Sequence, residues 1–398
     1  MKKHKKKNLL EKRNENRQPE RLSETELLIR FLEKGYCFRY NEVMGYTEYH
    51  KCGEKMWLPV DARVINTLTM LARLDGINVW NHDTLRYVDS QMIKVYNPVI
   101  AYLEQVRGCW DGQDHIGKLA ATVRTTCPQW ETWFRRWMLA VVAQWMHLNP
   151  KYGNAVAPLL ISGQGFNKST FCKSLLPKEL SWGYIDSLQL AEKKQTLQAM
   201  NQMLLINLDE FNQISTTIQS GFLKNIIQLS TIKIKRPYGK HVEEFPRLAS
   251  FIATTNMSDV LTDPTGNRRF IAVELTEPVN ISQEPEHKQL YAQILALLDK
   301  GERYWFDAEE TKAIMDHNRK YQMKSSTETF FEELFEITSN EQIGEYMTAA
   351  AIYDYVRRHA GSQLPTKNII HFGRTLANIN GIVRRRGKHG SEYLVVRK

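Results

Sequence analysis

The sequence predicts an α/β protein built on a parallel sheet, and three observations carry that expectation. Apolar runs at 155–161, 203–208 and 251–255 read as buried strands, each ending in polar residues. Helical stretches at 169–176 and 190–200 separate the first two runs, the strand–helix alternation of a parallel sheet with right-handed crossovers. The last seventy residues then change pattern to two capped helices followed by two basic strand-like runs.

Composition bounds the rest. The 398 residues leave room for two or three domains and an ample core. A net charge of +10 favours an anionic partner, nucleic acid before membrane. Cys37, Cys52, Cys109, Cys127 and Cys172 form no CxxC pair and no zinc spacing, which fits reduced thiols. The longest apolar run, 137–148, is too short to span a bilayer, and no signal-peptide pattern opens the chain. The expectation is a soluble, cytoplasmic protein.

Taken in order, residues 1–21 form a polar, Lys-rich tail, either disordered or an arm for nucleic acid. Ser23 and Glu26 make a capping box, and Leu27, Leu28, Phe31 and Leu32 mark one face of the helix behind it. Residues 36–49, around Gly45, read as a hairpin, and helices follow at 61–74 and 82–89. This is a small, mainly helical accessory domain with no catalytic constellation, and no primase centre is visible in residues 1–150. Pro98 opens a helix to Val106. Asp111 and Asp114 could serve a metal or acid–base chemistry, but turn and capping roles suit them better. Trp133, Trp137 and Trp145 recur at helical spacing and read as core packing.

The run from Ala155 leads through Gly163, Gln164 and Gly165 to Asn167, Lys168, Ser169 and Thr170 at a helix start. Strand, glycine turn, Lys-Ser, helix is the layout of a phosphate-binding loop. Backbone N–H groups and the helix N-terminus attract phosphate oxygens, the lysine neutralises them, and the hydroxyl reaches Mg²⁺. The fixed glycines of G-x-x-x-x-G-K-[ST] fall at Ser162 and Asn167, and Asn is among the few residues that tolerate a left-handed backbone. The next strand ends in Asp209 and Glu210, suited to holding Mg²⁺ and polarising an attacking water. The third ends in Asn256, suited to sensing a γ-phosphate, and Arg268 and Arg269 follow on a turn before a further strand, 271–275.

Lys233 and Lys235 alternate with Ile232 and Ile234 in a strand, and Pro237-Tyr238-Gly239 turns it toward a partner at 241–245. Lys233, Lys235, Arg236 and Lys240 could hold phosphates while Tyr238 offers a stacking surface; otherwise this is a solvated basic hairpin. Residues 316–329 are polar and read as a linker. Beyond them Thr348 caps a helix to His359, and Thr366 caps a second bearing Ile369, Phe372, Leu376 and Ile379 on one face. The runs 382–386 and 393–397 complete the outline of a winged helix. Arg374, Arg384, Arg385, Arg386 and Lys388 would face phosphates, or else form a solvated basic edge.

The segments Gln164-Gly165, Lys168 to Phe171, Asp209-Glu210, Arg236 to Gly239, Thr254 to Asn256 and Thr265 to Phe270, in this order, resemble the virulence-associated protein E family of phages and mobile elements. That family is related to superfamily 3 helicases and viral primase-helicases. Tyr96 to Val99 and Trp110 to Gly112 resemble its lead-in segment, and the family usually has Gly where Asn167 sits. The resemblance implies an AAA+-like P-loop ATPase core acting on single-stranded or forked DNA in replication, with ATP and Mg²⁺ as cofactors. It implies a ring, a hexamer in the related helicases, with Arg268 or Arg269 as an arginine finger working on a neighbouring subunit, and a priming partner on a separate chain. The expected division is tail 1–21, accessory domain 22–125, ATPase 126–315, linker 316–329 and winged helix 330–398. Two other classes remain open: a DNA-binding replication or excision factor whose degenerate P-loop does not hydrolyse, and a P-loop kinase for a small molecule.

Overall fold

The computed structural model describes residues 22–149, 151–235, 241–262, 267–323, 326–360, 368–379, 381–387 and 390–398. The expected tail, 1–21, lies outside them.

Helix α1 (Glu24–Gly35) opens on the predicted capping box: the Glu26 N–H donates to Ser23 Oγ, and Glu26 Oε2 accepts from the Ser23 N–H. Strands β1 (Tyr36–Asn41) and β2 (Tyr46–Lys51) form the expected hairpin. Two-residue strands β3 (Leu58–Pro59) and β4 (Val95–Tyr96) extend it to a four-stranded sheet, ordered β3-β2-β1-β4. Helices α2 (Ala62–Leu74) and α3 (Asn81–Val88) pack with α1 on one side of it, through Leu28, Leu32, Ile65, Leu68 and Val88. This region is therefore mixed rather than mainly helical. Strands of two residues are too short to show periodicity, so the sequence revealed the hairpin alone.

Helices α4 (Pro98–Val106) and α5 (His115–Ala120) were grouped with the accessory domain on sequence, but their apolar faces belong elsewhere. Val99, Leu103, Ile116 and Leu119 join α6 (Trp130–Trp145) in the core beneath a five-stranded parallel sheet. The strands are β5 (Ala157–Ile161), β6 (Tyr184–Ile185), β7 (Leu205–Leu208), β10 (Ser250–Thr255) and β11 (Phe270–Glu274), in the order β11-β5-β10-β7-β6. Every neighbouring pair is parallel. Alternate residues feed two cores: Leu160, Leu205, Ile252 and Val273 meet α4, α5, α6 and α10 (His287–Asp299) on one face. Leu159, Ile206, Phe251 and Ala272 meet α8 (Lys193–Gln202) and the segment around Ile226 on the other. Burial on both faces explains why these strands read as unbroken apolar runs. The tryptophans of α6 are core, as their spacing indicated; Trp145 stacks on Tyr291 at 5.6 Å between centroids.

Between β7 and β10 the chain makes a π-helical turn (Ile218–Leu223), a short helix α9 (Lys224–Ile226) and a separate antiparallel hairpin, β8 (Thr231–Ile234) with β9 (Glu243–Pro246). After β11 comes α10, then α11 (Ala308–Asn318). The linker expected from residue 316 is overturned in its first part. Asn318 is wholly buried, donates to the carbonyls of Asn267 (2.8 Å) and Phe270 (2.6 Å), and accepts from the Ala272 N–H (3.2 Å). Tyr321 is buried beside it. A polar side chain whose bonds are all made inside packs as core, which composition cannot show.

The C-terminal part has its own core of Phe331, Phe335, Ile352, Val356, Phe372, Leu376 and Val395. Its elements are α12 (Ser326–Leu334), β12 (Phe335–Ile337), β13 (Glu345–Thr348), α13 (Ala349–Ala360), α14 (Ile369–Asn378), β14 (Val383–Gly387) and β15 (Gly390–Arg397). Strand β15 pairs with each of the other three, antiparallel. Thr348 caps α13 as expected, accepting from Ala351 N–H at 3.2 Å. The cap of α14 is Asn368, whose Oδ1 accepts from Ile370 N–H at 2.8 Å; Thr366 lies outside the described residues. Among the described residues no helix is long and apolar enough to cross a membrane.

Candidate nucleotide site and basic surfaces

Strand β5 is buried along its length and delivers the chain to the sheet's C-terminal edge, where Ser162 N–H donates to Thr255 O at 3.3 Å. There the loop turns through two left-handed residues, Gly165 (φ 79°) and Asn167 (φ 60°, ψ 21°). Asn167 thus takes the conformation for which the motif uses glycine. Its Nδ2 donates to Val279 O at 3.2 Å, a bond glycine could not make. Helix α7 (Lys168–Ser174) starts immediately after it.

Lys168 is only 8% exposed. Its three ammonium N–H groups are shared among four oxygens: Ser162 O (2.9 Å), Ser162 Oγ (2.9 Å), Gly163 O (2.8 Å) and Asn256 Oδ1 (2.9 Å). Burial holds the Lys168 ammonium below its ordinary value, against the opposing pull of Asp209. Asp209 sits at the end of β7, and its Oδ1 accepts from Ser169 Oγ at 3.3 Å and from Thr254 Oγ1. The sheet order makes this constellation possible: β10 lies between β5 and β7. Asn256, at the end of β10, therefore falls between the lysine loop and the Asp-Glu pair.

Glu210 is exposed and left-handed (φ 49°, ψ 48°), an uncommon conformation for a residue other than Gly, Asn or Asp. Gln213 Nε2 donates to its Oε2. Beside it Asn212 Oδ1 accepts from Thr255 Oγ1 at 3.0 Å. Thr254 and Thr255 entered the sequence reading only as part of the family-like segment ending in Asn256, and Asn212 not at all; their individual bonds become visible only once their neighbours are placed. Next to α7, a cavity of about 660 Å³ is lined by Leu119, Thr170, Phe171, Ser174, Asn280 and Pro285 among others.

Arg268 and Arg269 are not brought to this edge. They end a 3₁₀ turn, Asn267–Arg269, that leads into β11, whose Phe270 pairs with Ala157 and Glu274 with Ile161. The turn lies before the start of β5, while the lysine loop follows its end. Five residues at about 3.3 Å each put roughly 17 Å of strand between them. Arg269 is 5% exposed, whereas Arg268 is exposed. At this N-terminal edge both border a cavity of about 500 Å³ with Tyr152, Tyr304, Trp305 and Phe306.

On the β8–β9 hairpin Lys233 and Lys235 are exposed while Ile232 and Ile234 are buried, as alternation requires. Arg236, Tyr238 and Lys240 lie outside the described residues. At the hairpin's root is Arg247, fully buried and unanticipated from sequence. It donates to the carbonyls of Ile226 (3.2 Å), Ile227 (2.5 Å) and Asn154 (2.7 Å) and to Gln144 Oε1 (3.3 Å). Burial pushes its guanidinium down to about 9. In the C-terminal part Arg374, Arg384 and Arg386 are exposed, and Lys388 lies outside the described residues. Arg385 is exposed as well, but it differs in its partners: it pairs with Glu392 at 2.8 Å and lies 3.5 Å over the Tyr346 ring.

Comparison with known proteins adds a family. A model described as the virulence-associated protein E-like domain matches residues 103–323. A second, described as a domain of unknown function from a B. Theta gene, matches 324–395. No curated protein matches. Among solved structures, the apo C-terminal region (305–718) of NrS-1 is 14% identical, with 95% of this chain and 100% of that chain covered and a TM-score of 0.49. JCV helicase is 13% identical, with 68% of this chain and 76% of that one covered and a TM-score of 0.29. The first family match covers more than half of the sequence, and the chain belongs to the virulence-associated protein E-like domain family.

Proposed function

We propose that this chain is an ATP-hydrolysing protein of the AAA+-like, superfamily 3 helicase type that acts on DNA during replication of a phage or mobile element. The observation that carries the reading is the convergence of Lys168, Ser169, Asp209 and Asn256 at one sheet edge. Lys168 is held by neutral acceptors, which a polyanionic phosphate outcompetes. The left-handed Asn167 supports a working loop rather than a degenerate one. The Ser169 hydroxyl and Asp209 carboxylate, 3.3 Å apart, are the oxygen donors a hard cation takes, and they would hold Mg²⁺. Bound there, Mg²⁺ would neutralise phosphate charge. Glu210 would orient and deprotonate the attacking water, and Asn256 would fix the γ-phosphate. The cavity beside Thr170 and Phe171 is large enough for the nucleoside half.

Arg268 lies a strand's length from its own lysine loop, so as a finger it would serve a neighbouring copy, and turnover would need an oligomer, a hexamer by family analogy. The β8–β9 hairpin is spliced between the strand ending in Asp209 and the strand ending in Asn256. A pull on DNA gripped by Lys233 and Lys235 would thus be felt at both. In the C-terminal part, two helices and the β14–β15 hairpin form a winged helix whose Arg374, Arg384 and Arg386 would meet phosphates. The test is ATP turnover by the purified chain with and without single-stranded DNA. Stimulated turnover is the expected result; DNA affinity without any turnover would return the non-hydrolysing reading.

A further inference from the structure

Cys37 and Cys52 belong to none of the machinery above. Both thiols are exposed, and their sulfurs are 3.9 Å apart. The pair is a product of register. Cys37 faces His50 across the β1–β2 ladder, and the Cys52 N–H donates to Gly35 O at 3.0 Å, which continues the ladder by two residues. Cys52 is thus the diagonal neighbour of Cys37 on the same face of the sheet. The other three cysteines have no sulfur partner of this kind among the described residues: Cys127 and Cys172 are buried, and Cys109 lies on a different segment with its thiol toward Gln105 O.

We propose that Cys37 and Cys52 are an oxidation site, a thiol pair that closes to an intrachain disulfide when hydrogen peroxide or a small disulfide oxidant reaches it. With peroxide, one thiolate attacks an oxygen, the O–O bond breaks, and the sulfur becomes a sulfenic acid as the first water leaves. The second thiol attacks that sulfur, the S–O bond breaks, and a second water carries off the oxygen. Two thiols lose two electrons and two protons, and one peroxide is reduced to two waters. The sulfurs must approach from 3.9 Å to a bond of about 2.0 Å, which takes rotation about χ1 of two exposed side chains and a small inward shift of the backbone at the end of the hairpin.

The closed bond would tie the start of β1 to the turn after β2. That turn leads to Trp57, whose ring is already held 4.0 Å from the Arg39 guanidinium and 4.3 Å from the His50 ring. Oxidation would therefore fix both ends of the 52–57 segment. Diagonal neighbours usually stand about 7–8 Å apart at Cα, beyond the usual span of a disulfide, so the closed bond would be strained and a mild thiol reductant should reopen it.

The sequence makes the test direct. Trypsin cuts after Lys34, Arg39, Lys51 and Lys55, which separates the two cysteines onto the peptides 35–39 and 52–55. The full-length protein is treated with hydrogen peroxide, alkylated, digested and read by mass spectrometry, with a dithiothreitol-treated portion alongside. The expected result is a linked pair of these two peptides that dithiothreitol separates. Cys37→Ser and Cys52→Ser should each abolish it and leave the surviving thiol open to sulfenic acid or glutathione adducts. Separate alkylation of both peptides after oxidation would overturn the proposal. So would linkage to Cys109, or links between chains, in equal yield. The wild-type digest decides this even if a variant fails to fold.

Discussion

The Lys168 ammonium donates to the Asn256 side-chain oxygen across 2.9 Å, although 88 positions separate the two residues in the chain. The bond joins the loop after β5 to the end of its sheet neighbour β10, and it is the contact through which a phosphate on the loop would be sensed at the third strand. Removing either partner should have different effects. Lys168→Ala should abolish hydrolysis and nucleotide binding together. Asn256→Ala should keep binding and lose about 10²–10³ in kcat, the usual effect of deleting one oriented group at a transition state. Glu210→Gln should leave ATP bound and uncleaved. Equilibrium binding of labelled ATP beside single-turnover hydrolysis separates the three outcomes, and equal loss of binding in all three variants would contradict this division of roles.

Asn167 tests whether the loop's departure from glycine is a defect. At φ 60° a β-carbon with no local hydrogen bond costs about 1–2 kcal/mol, while Asn recovers part of this through Val279. Asn167→Gly should retain turnover with little change in stability. Asn167→Val, β-branched and unable to make that bond, should lower the unfolding midpoint and turnover together. Thermal unfolding and ATPase assays on the two variants check this; a large gain in rate on Asn167→Gly would mean that the natural loop is impaired.

The elements bearing the motifs were legible because each is local: an apolar run, a turn, a Lys-Ser pair at a helix start. The capping box at Ser23 and the Thr348 cap were legible for the same reason. What could not be read is long-range. Nothing in the order β5, β7, β10 says that β10 inserts between the other two, and that insertion brings Thr254 to Asp209. Arg247 reads as one more surface cation until four buried oxygens are placed around it. Asn318 reads as linker for the same reason. Strands β3 and β4, two residues each, are held by partners and not by any pattern of their own.

His317 gives the fold a pH dependence. Its Nε2 lies 2.7 Å from Ala272 O, and its ring packs against Trp133 and Tyr321. Burial, with Lys320 nearby adding to it, holds the imidazole below its ordinary value against the pull of the carbonyl. The unfolded chain takes up this proton near pH 6.5, and the folded chain only at lower pH. The unfolded state then binds more protons in that window, so stability is complete above about pH 6.5 and falls as pH drops toward the folded value. The unfolding midpoint should decline between about pH 7 and pH 5, and His317→Gln should make the decline shallower. An identical slope in the variant would remove His317 from the account.

Arg268 and Lys168 lie at opposite edges of one sheet, so neither should complement itself within a chain. Lys168→Ala and Arg268→Ala proteins should each be inactive, and mixing them should restore part of the turnover, because some interfaces regain one intact half from each. An arginine finger is worth about 10³–10⁵ in rate, which makes even partial recovery measurable. Arg269→Ala should instead cost stability, because that side chain is buried. Full activity in a monomer at dilution, followed by sedimentation, would contradict the arrangement.

The basic β14–β15 hairpin allows a prediction that separates neighbouring arginines. Arg385 is already paired with Glu392 and stacked on Tyr346, so its charge is compensated within the protein. Arg384 donates to the neutral Ser391 hydroxyl at 3.0 Å, and Arg386 is exposed, so both keep their charge available for a phosphate. Each phosphate neutralised releases counterions and contributes about 0.9 to the slope of log affinity against log salt on duplex DNA. In the full chain, Arg384→Ala, Arg386→Ala and Arg374→Ala should each lower both the affinity and that slope by about one contact. Arg385→Ala should leave the slope unchanged, and its effect should appear in the unfolding of the C-terminal part, where Glu392 loses its partner. Salt titrations of the four variants decide it: equal slopes in all of them would make the hairpin a solvated edge, and a drop on Arg385→Ala alone would invert the assignment.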